Sequence, residues 1–205
     1  VGLHAAESYN PGALSIVGYV VLSCRTAGEA LDRLTRYAPL LNEGLQVELV
    51  EGAGLTTCRF GAVEGLDSFL HRDARQVVET LAAGIVVTLK RLATAPLDPI
   101  EITFRHRAPT AIGEHLRILG PAVRFEHSEN AVVYRGTALA TPFISADPAL
   151  LEVFEGDARR RLHELTARGG VSGRVLAVLG GRLKGTVLSL SEIASELAMS
   201  ERSIQ

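Results

Sequence analysis

Gln46-Val47-Glu48-Leu49-Val50-Glu51-Gly52-Ala53-Gly54-Leu55-Thr56-Thr57-Cys58-Arg59-Phe60-Gly61-Ala62 reads as two strands, Gln46 to Glu51 and Leu55 to Ala62, joined by a tight turn. The β-branched residues suit a pleated surface, and Gly52-Ala53-Gly54 has the content of a hairpin turn. In the first strand Val47, Leu49 and Glu51 point one way and Gln46, Glu48 and Val50 the other. One face is therefore only partly apolar. A hairpin of this kind implies antiparallel pairing.

On the N-terminal side, Leu14 to Cys24 is an apolar run containing Gly18 and Tyr19 and reads as a buried helix. Thr26-Ala27-Gly28-Glu29 fits a capping box, with Thr26 accepting from the Glu29 amide and Glu29 reaching back. Ala27, Ala30, Leu31, Leu34, Ala38 and Leu41 then recur at helical spacing, and Pro39 should end or kink the helix one turn before Asn42. On the C-terminal side, Leu66 to Ala93 is the longest helical pattern. A strand is expected from Ile100 to Arg107, with Ile100, Ile102, Phe104 and His106 on one face. A short helix near Ala111 to Leu119 stops at Gly120-Pro121, and strands Ala122 to Glu126 and Val132 to Arg135 flank a Ser128-Glu129-Asn130 turn. About five strands interleave with helices through mostly hairpin-like connections. The expected class is α+β, an antiparallel sheet packed with helices.

Asp147-Pro148 opens another helix, with Asp147 as N-cap and Pro148 at the first position. Leu151, Phe154, Ala158, Leu162 and Leu165 give it one apolar stripe. Arg168-Gly169-Gly170 is expected to end it and act as a linker. Val171 to Leu183 then forms a modest helix weakened by Gly180-Gly181.

The chain has 205 residues, 47% hydrophobic and 21% charged, enough for one domain plus a small appendage. Its net charge of −2 leaves no basic footprint, so these residues alone are not expected to grip nucleic acid strongly. Cys24 and Cys58 are the only cysteines and are expected to be reduced. The longest apolar stretch, Leu81 to Leu89, runs into Lys90-Arg91 and is too short to span a bilayer. With no signal peptide evident, the cytoplasm is the expected compartment. Val1 is not Met, and Gln205 falls inside a helical pattern, so the chain is expected to be part of a longer protein.

The last residues carry a further pattern. Ser189-Leu190-Ser191-Glu192 fits a capping box, Ile193, Ala194 and Leu197 face inward, and a short turn at Ala198-Met199 leads to Ser200 as a new N-cap. Two short helices joined so tightly are what a helix-turn-helix requires. Ser191 to Gln205 resembles the first helix-turn-helix of AraC/XylS regulators, where Ala-x-x-Leu-Gly-Met-Ser-x-Arg-x-Leu-Gln is typical; Ala198 replaces the turn Gly and Ile204 the Leu. Gly18-Tyr19 with Ser23, Thr26-x-Gly28-Glu29-Ala30-Leu31, Arg36-Tyr37, Phe104-Arg105-His106, Val123-Arg124-Phe125 with Asn130, and Ala146-Asp147-Pro148-Ala149-Leu150 resemble the arabinose-binding-like sensor of one subgroup. These cover about Leu14 to Leu151. The resemblance implies a cytoplasmic, usually dimeric regulator whose sensor binds a small molecule and alters DNA binding. It also implies residues 1–168 as effector-sensing and dimerisation domain and 171–205 as an incomplete AraC-type helix-turn-helix domain.

In such a motif, Ser200 caps the second helix and can touch phosphate, while Arg202 and Gln205 suit guanine and adenine edges. For the effector, the polar candidates are Tyr19, Tyr37, Arg105, His106 and Tyr134, each with a structural alternative in the core or at the surface. The partners are then DNA, an unidentified small-molecule effector and a second copy of the chain. No membrane, cofactor or metal is expected: the histidines show no i,i+4 pair and there is no CxxC, although His106, His115 and His127 could meet in space. Two other classes stay open, a stand-alone dimerisation or small-molecule-binding module and a small cytoplasmic enzyme. Cys24 or Ser23 with His106 and Asp147 could be imagined as a triad, but no Gly-x-Ser-x-Gly elbow frames them.

Overall fold

The computed structural model describes residues 2–8, 15–62, 75–182 and 191–192. The described helices are α1 (Gly2–Glu7), α2 (Ser15–Ser23), α3 (Ala27–Tyr37), α4 (Arg75–Leu92), α5 (Gly113–Leu119) and α6 (Pro148–Arg182). The strands are β1 (Leu45–Gly52), β2 (Leu55–Ala62), β3 (Glu101–Thr103), β4 (Val123–Arg124) and β5 (Ala131–Arg135). They form one sheet in the order β1-β2-β5-β3-β4.

The hairpin forms as its sequence demands. Gly52 pairs with Leu55, leaving Ala53 and Gly54 as a two-residue turn with φ of 51° and 75°. Positive φ at both central residues is the primed turn whose twist matches the strands. Gly54 adopts it freely, whereas Ala53 bears a Cβ penalty. Ala53→Gly is therefore expected to stabilise the chain by about 0.5–1 kcal/mol, read as a higher urea midpoint with unchanged m-value.

Val47, Leu49, Cys58, Phe60, Ile102, Val132 and Tyr134 share the sheet face that meets the core. Central β5 is buried from Ala131 to Tyr134, while the edge strand β1 stays half open. On this face α1 packs against α4, α5 lies beside both, and α2 bridges α3 and α6. The contact of α1 with α4 is close: the Gly2 amide donates to Gln76 Oε1 at 2.7 Å, and a Cβ on Gly2 would fall 2.5 Å from the Gln76 carbonyl.

Three expectations need correction. The sheet is mixed, because β3 and β4 pair in parallel, Ile102 against Val123. The chain between them contains α5, and a helical crossover returns a strand in the same direction where a hairpin would reverse it. β3 is also shorter than the expected Ile100–Arg107 strand. Ile100 is 39% exposed, and beyond Thr103 the Arg105 amide donates to Asn130 Oδ1, which takes it out of the ladder. Finally, Gly169-Gly170 does not end α6, which continues unbroken to Arg182. Each glycine costs a helix roughly 0.5–1 kcal/mol, less than proline, and no proline follows to remove a donor.

Several local readings hold. Thr26 Oγ1 accepts from the Glu29 amide at 3.2 Å, although Glu29 Oε2 reaches the amide of Arg25, not that of Thr26. Asp147 Oδ1 accepts from the Ala149 and Leu150 amides, both at 3.0 Å. Gly120 closes α5 with φ of 92°. Of the expected Leu66–Ala93 helix, residues 75–92 are helical and residues 66–74 lie outside the described residues.

Candidate functional site

The most unusual chemistry lies on α4. Its inward-facing positions run through Ala82, Val86 and Leu89, and Glu79 occupies the same stripe one turn earlier, 1% exposed. A carboxylate survives such burial only with partners. Glu79 Oε1 accepts from His115 Nε2 at 2.7 Å and from Arg75 Nε at 2.8 Å, and His106 Nε2 stands 3.5 Å away. Arg75 sits one turn earlier on α4, His115 is on α5, and His106 follows β3. The site is thus a product of tertiary packing.

Aromatic rings wall the cluster. Phe104 stacks on His106 at 5.0 Å and on Phe125 at 5.8 Å between centroids. Phe125 meets His106 at 5.5 Å and the edge of His115 at 5.4 Å. Burial alone would raise the Glu79 pKa, but the hydrogen bonds from His115 and Arg75 outweigh it and hold the carboxyl below its ordinary value. Glu79 is therefore ionised at neutral pH.

The sign of the pH effect follows. A carboxyl with a lowered folded pKa contributes stability that is present above the unfolded value of 4.5 and lost as pH falls through the folded value. The urea midpoint is expected to fall below about pH 4.5. Glu79→Gln should flatten that part of the profile. Equal acid slopes in both proteins would contradict the assignment.

Among the other candidates, Tyr37 is fully buried, and its hydroxyl donates to Glu155 Oε1 at 3.2 Å. Burial, then the Glu155 charge, raises its pKa. Arg33 and Arg36 of α3 also reach Glu155, at 3.7 and 3.5 Å, so this group clamps α3 to α6. Tyr134 is buried with its hydroxyl unpartnered, and desolvation raises its pKa. Tyr19 lies on the surface, 46% exposed, with its ring 5.1 Å from Phe154. Arg105 is exposed. Only His106 of the five joins the Glu79 cluster. Ser200, Arg202 and Gln205 lie outside the described residues.

A cleft of about 620 Å³ opens elsewhere, between α3 and the β1–β2 hairpin. Gly28, Leu31, Asp32, Leu49, Thr56 and Leu139 line it together with the turn, and none of the five candidates does. Asp32 joins this cleft to the clamp, because Arg33 and Arg36 also pair with it at 3.4 and 3.5 Å.

The imagined triad is not assembled. Ser23 Oγ donates to the Tyr19 carbonyl, Cys24 Sγ to the Val20 carbonyl, and Asp147 caps α6. Both cysteines are free and buried, and desolvation pushes each thiol up to about 12. Of the three histidines that could meet, His106 and His115 do, at Glu79, while His127 is exposed. His4, Glu7 and Glu114 gather within 4.8 Å, but the Arg117 guanidinium already bonds both carboxylates. Sequence reasoning missed Glu79 and Glu155. For Glu79 the available signal was a carboxylate interrupting the apolar stripe of its helix.

A family model described as the arabinose-binding N-terminal domain of AraC transcription regulators matches residues 1–143. The chain is 28% identical over 205 residues to the ornithine utilization regulator of Pseudomonas aeruginosa, spanning all of this chain and 59% of the relative. The crystal structure of the transcriptional regulator CdpR from Pseudomonas aeruginosa shares the fold, with a TM-score of 0.62 at 17% identity, over 99% of this chain and 65% of that one. The chain thus spans less than two thirds of either protein. With 143 of its residues matching that domain, the chain belongs to the AraC family of transcription regulators, in the group with an arabinose-binding-type N-terminal domain.

Proposed function

We propose that this chain is the sensing and coupling part of a cytoplasmic, ligand-responsive, DNA-binding regulator without catalytic activity. Residues 1–168 hold the effector and the dimer contact, and residues 171–205 begin the DNA-binding domain. The observation that carries this reading is α6. It is held on the sensor by Glu155 and continues without a break to Arg182, and the chain then enters the segment that resembles a helix-turn-helix. An effector that changes how α3 sits would act through the clamp on α6 and so on the DNA-binding half.

Leu150 and Val153, one turn apart on α6 and 47% and 65% exposed, lie on the helix that also carries Phe154 against Tyr19. This apolar surface suits a second copy of the chain. No helix among the described residues is long and apolar enough to cross a membrane. The relative's role in ornithine utilization makes amino acids and amines the first effectors to screen.

The test is footprinting of the full-length protein on the DNA upstream of its own and neighbouring genes, with and without candidate effectors. Protection that depends on Arg202 and Gln205 is expected. Absence of any protected site would overturn the reading.

A further inference from the structure

Gly28, Leu31 and Asp32 fall at i, i+3 and i+4 on one face of α3, and that face lines the cleft opposite the β1–β2 hairpin. Gly28 lets the helix lie close, because a Cβ there would stand 3.3 Å from the Leu139 carbonyl. On the other wall Glu51 and Thr56 are direct cross-strand partners, so their side chains stand on the same sheet face with Cβ atoms about 5 Å apart. Thr56 is 5% exposed, yet its hydroxyl makes no hydrogen bond among the described residues. Buried polar groups are nearly always satisfied, so a buried hydroxyl that lines a cleft calls for a partner arriving there. Beside it, Glu51 is exposed at the rim and makes no ion pair among the described residues.

At about 620 Å³ the cleft has the size of a small-molecule site, for which roughly 300–1,000 Å³ is usual. Asp32 and Glu51 are its charged lining side chains, and among the described residues no Lys, Arg or His lines it. Leu31, Leu49 and Leu139 add apolar surface. Close to the cleft, Arg25, Arg33 and Arg36 are matched by Glu29, Asp32 and Glu155, which leaves Glu51 as the negative charge in excess. We infer that this cleft is the ligand site of the sensor and that its ligand is a primary aliphatic amine without a carboxylate group. The inference rests on the sensor reading above. The ammonium pairs with Glu51 and donates to the Thr56 hydroxyl, while the methylene chain covers the leucines. A ligand carboxylate would meet two like charges and no cation. An ammonium that also engages Asp32 frees Arg33 and Arg36 for Glu155, which ties occupancy of the cleft to the hold of α3 on α6.

The experiment is isothermal titration calorimetry of the full-length protein with putrescine, with L-ornithine, which adds one carboxylate to the same chain, and with 1,4-butanediol, its uncharged analogue. Putrescine is expected to bind at least about tenfold more tightly than either of the others. Glu51→Gln should weaken putrescine about tenfold, and because Glu51 is exposed the variant should fold normally. Thr56→Val, nearly the same shape, should weaken it several-fold. Glu48→Gln, on the opposite face of β1, should leave binding unchanged. Absence of putrescine binding, equal binding of ornithine or butanediol, wild-type affinity in Glu51→Gln or Thr56→Val, or an equal loss in Glu48→Gln would each overturn the inference. Footprinting on the same preparation separates the two claims. DNA protection without amine binding removes only this inference, and amine binding without DNA protection removes only the regulator reading.

Discussion

Phe104→Ala is expected to lower the free energy of unfolding by about 3–5 kcal/mol, the largest effect of any single change considered for this chain. Phe104 is fully buried in the main core cluster and leaves β3 just where the sheet meets α4 and α5. Its ring touches both His106 and Phe125. Truncation opens a cavity and also removes the wall that holds His106 near Glu79. Denaturant unfolding should show a lower midpoint at a similar m-value, and the histidine resonances of His106 and His115 should shift together. A loss under about 1 kcal/mol would mean that neighbouring side chains refill the space and that the aromatic wall is not a fixed element.

Glu155→Ala should come second, at about 2–4 kcal/mol, and should also weaken communication along α6. The carboxylate is 9% exposed, accepts from the buried Tyr37 hydroxyl, and neutralises Arg33 and Arg36. Its removal leaves the Tyr37 hydroxyl buried without that acceptor and takes one carboxylate from Arg33 and Arg36, which keep Asp32. Glu155→Gln restores an acceptor for Tyr37 without the charge, so its cost should be about half as large. Thermal melts of both variants measure the stability. The coupling is read as the effector-dependent change in DNA affinity of the full-length protein, expected to shrink in Glu155→Ala. A variant that melts early but keeps the full effector response would show that Glu155 stabilises α6 without coupling it.

The two large effects differ in how visible they were beforehand. Phe104 stood in an alternating apolar pattern with Ile102, and its burial could be read from that period. Glu155 lay among the charged residues of an amphipathic helix, where a solvated face was the simpler reading. Nothing within a few residues of it announces Tyr37, which is 118 positions away. The same holds for Glu79 and His115, 36 positions apart.

The amino-acid sequence alone determined what depends on neighbours along the chain. It set the β1–β2 hairpin through Ala53-Gly54, the caps at Thr26 and Asp147, the stop at Gly120, the α+β class and the family. Each of these rests on hydrogen bonds or dihedral preferences that span a few residues, so composition and period carry the signal. Tertiary structure decided the parallel pairing of β3 with β4, the unbroken run of α6 through Gly169-Gly170, and the meeting of Glu79, His106 and His115. Those outcomes depend on which surfaces bury each other. A buried carboxylate takes whatever donors the packing brings within reach, and no local pattern specifies them.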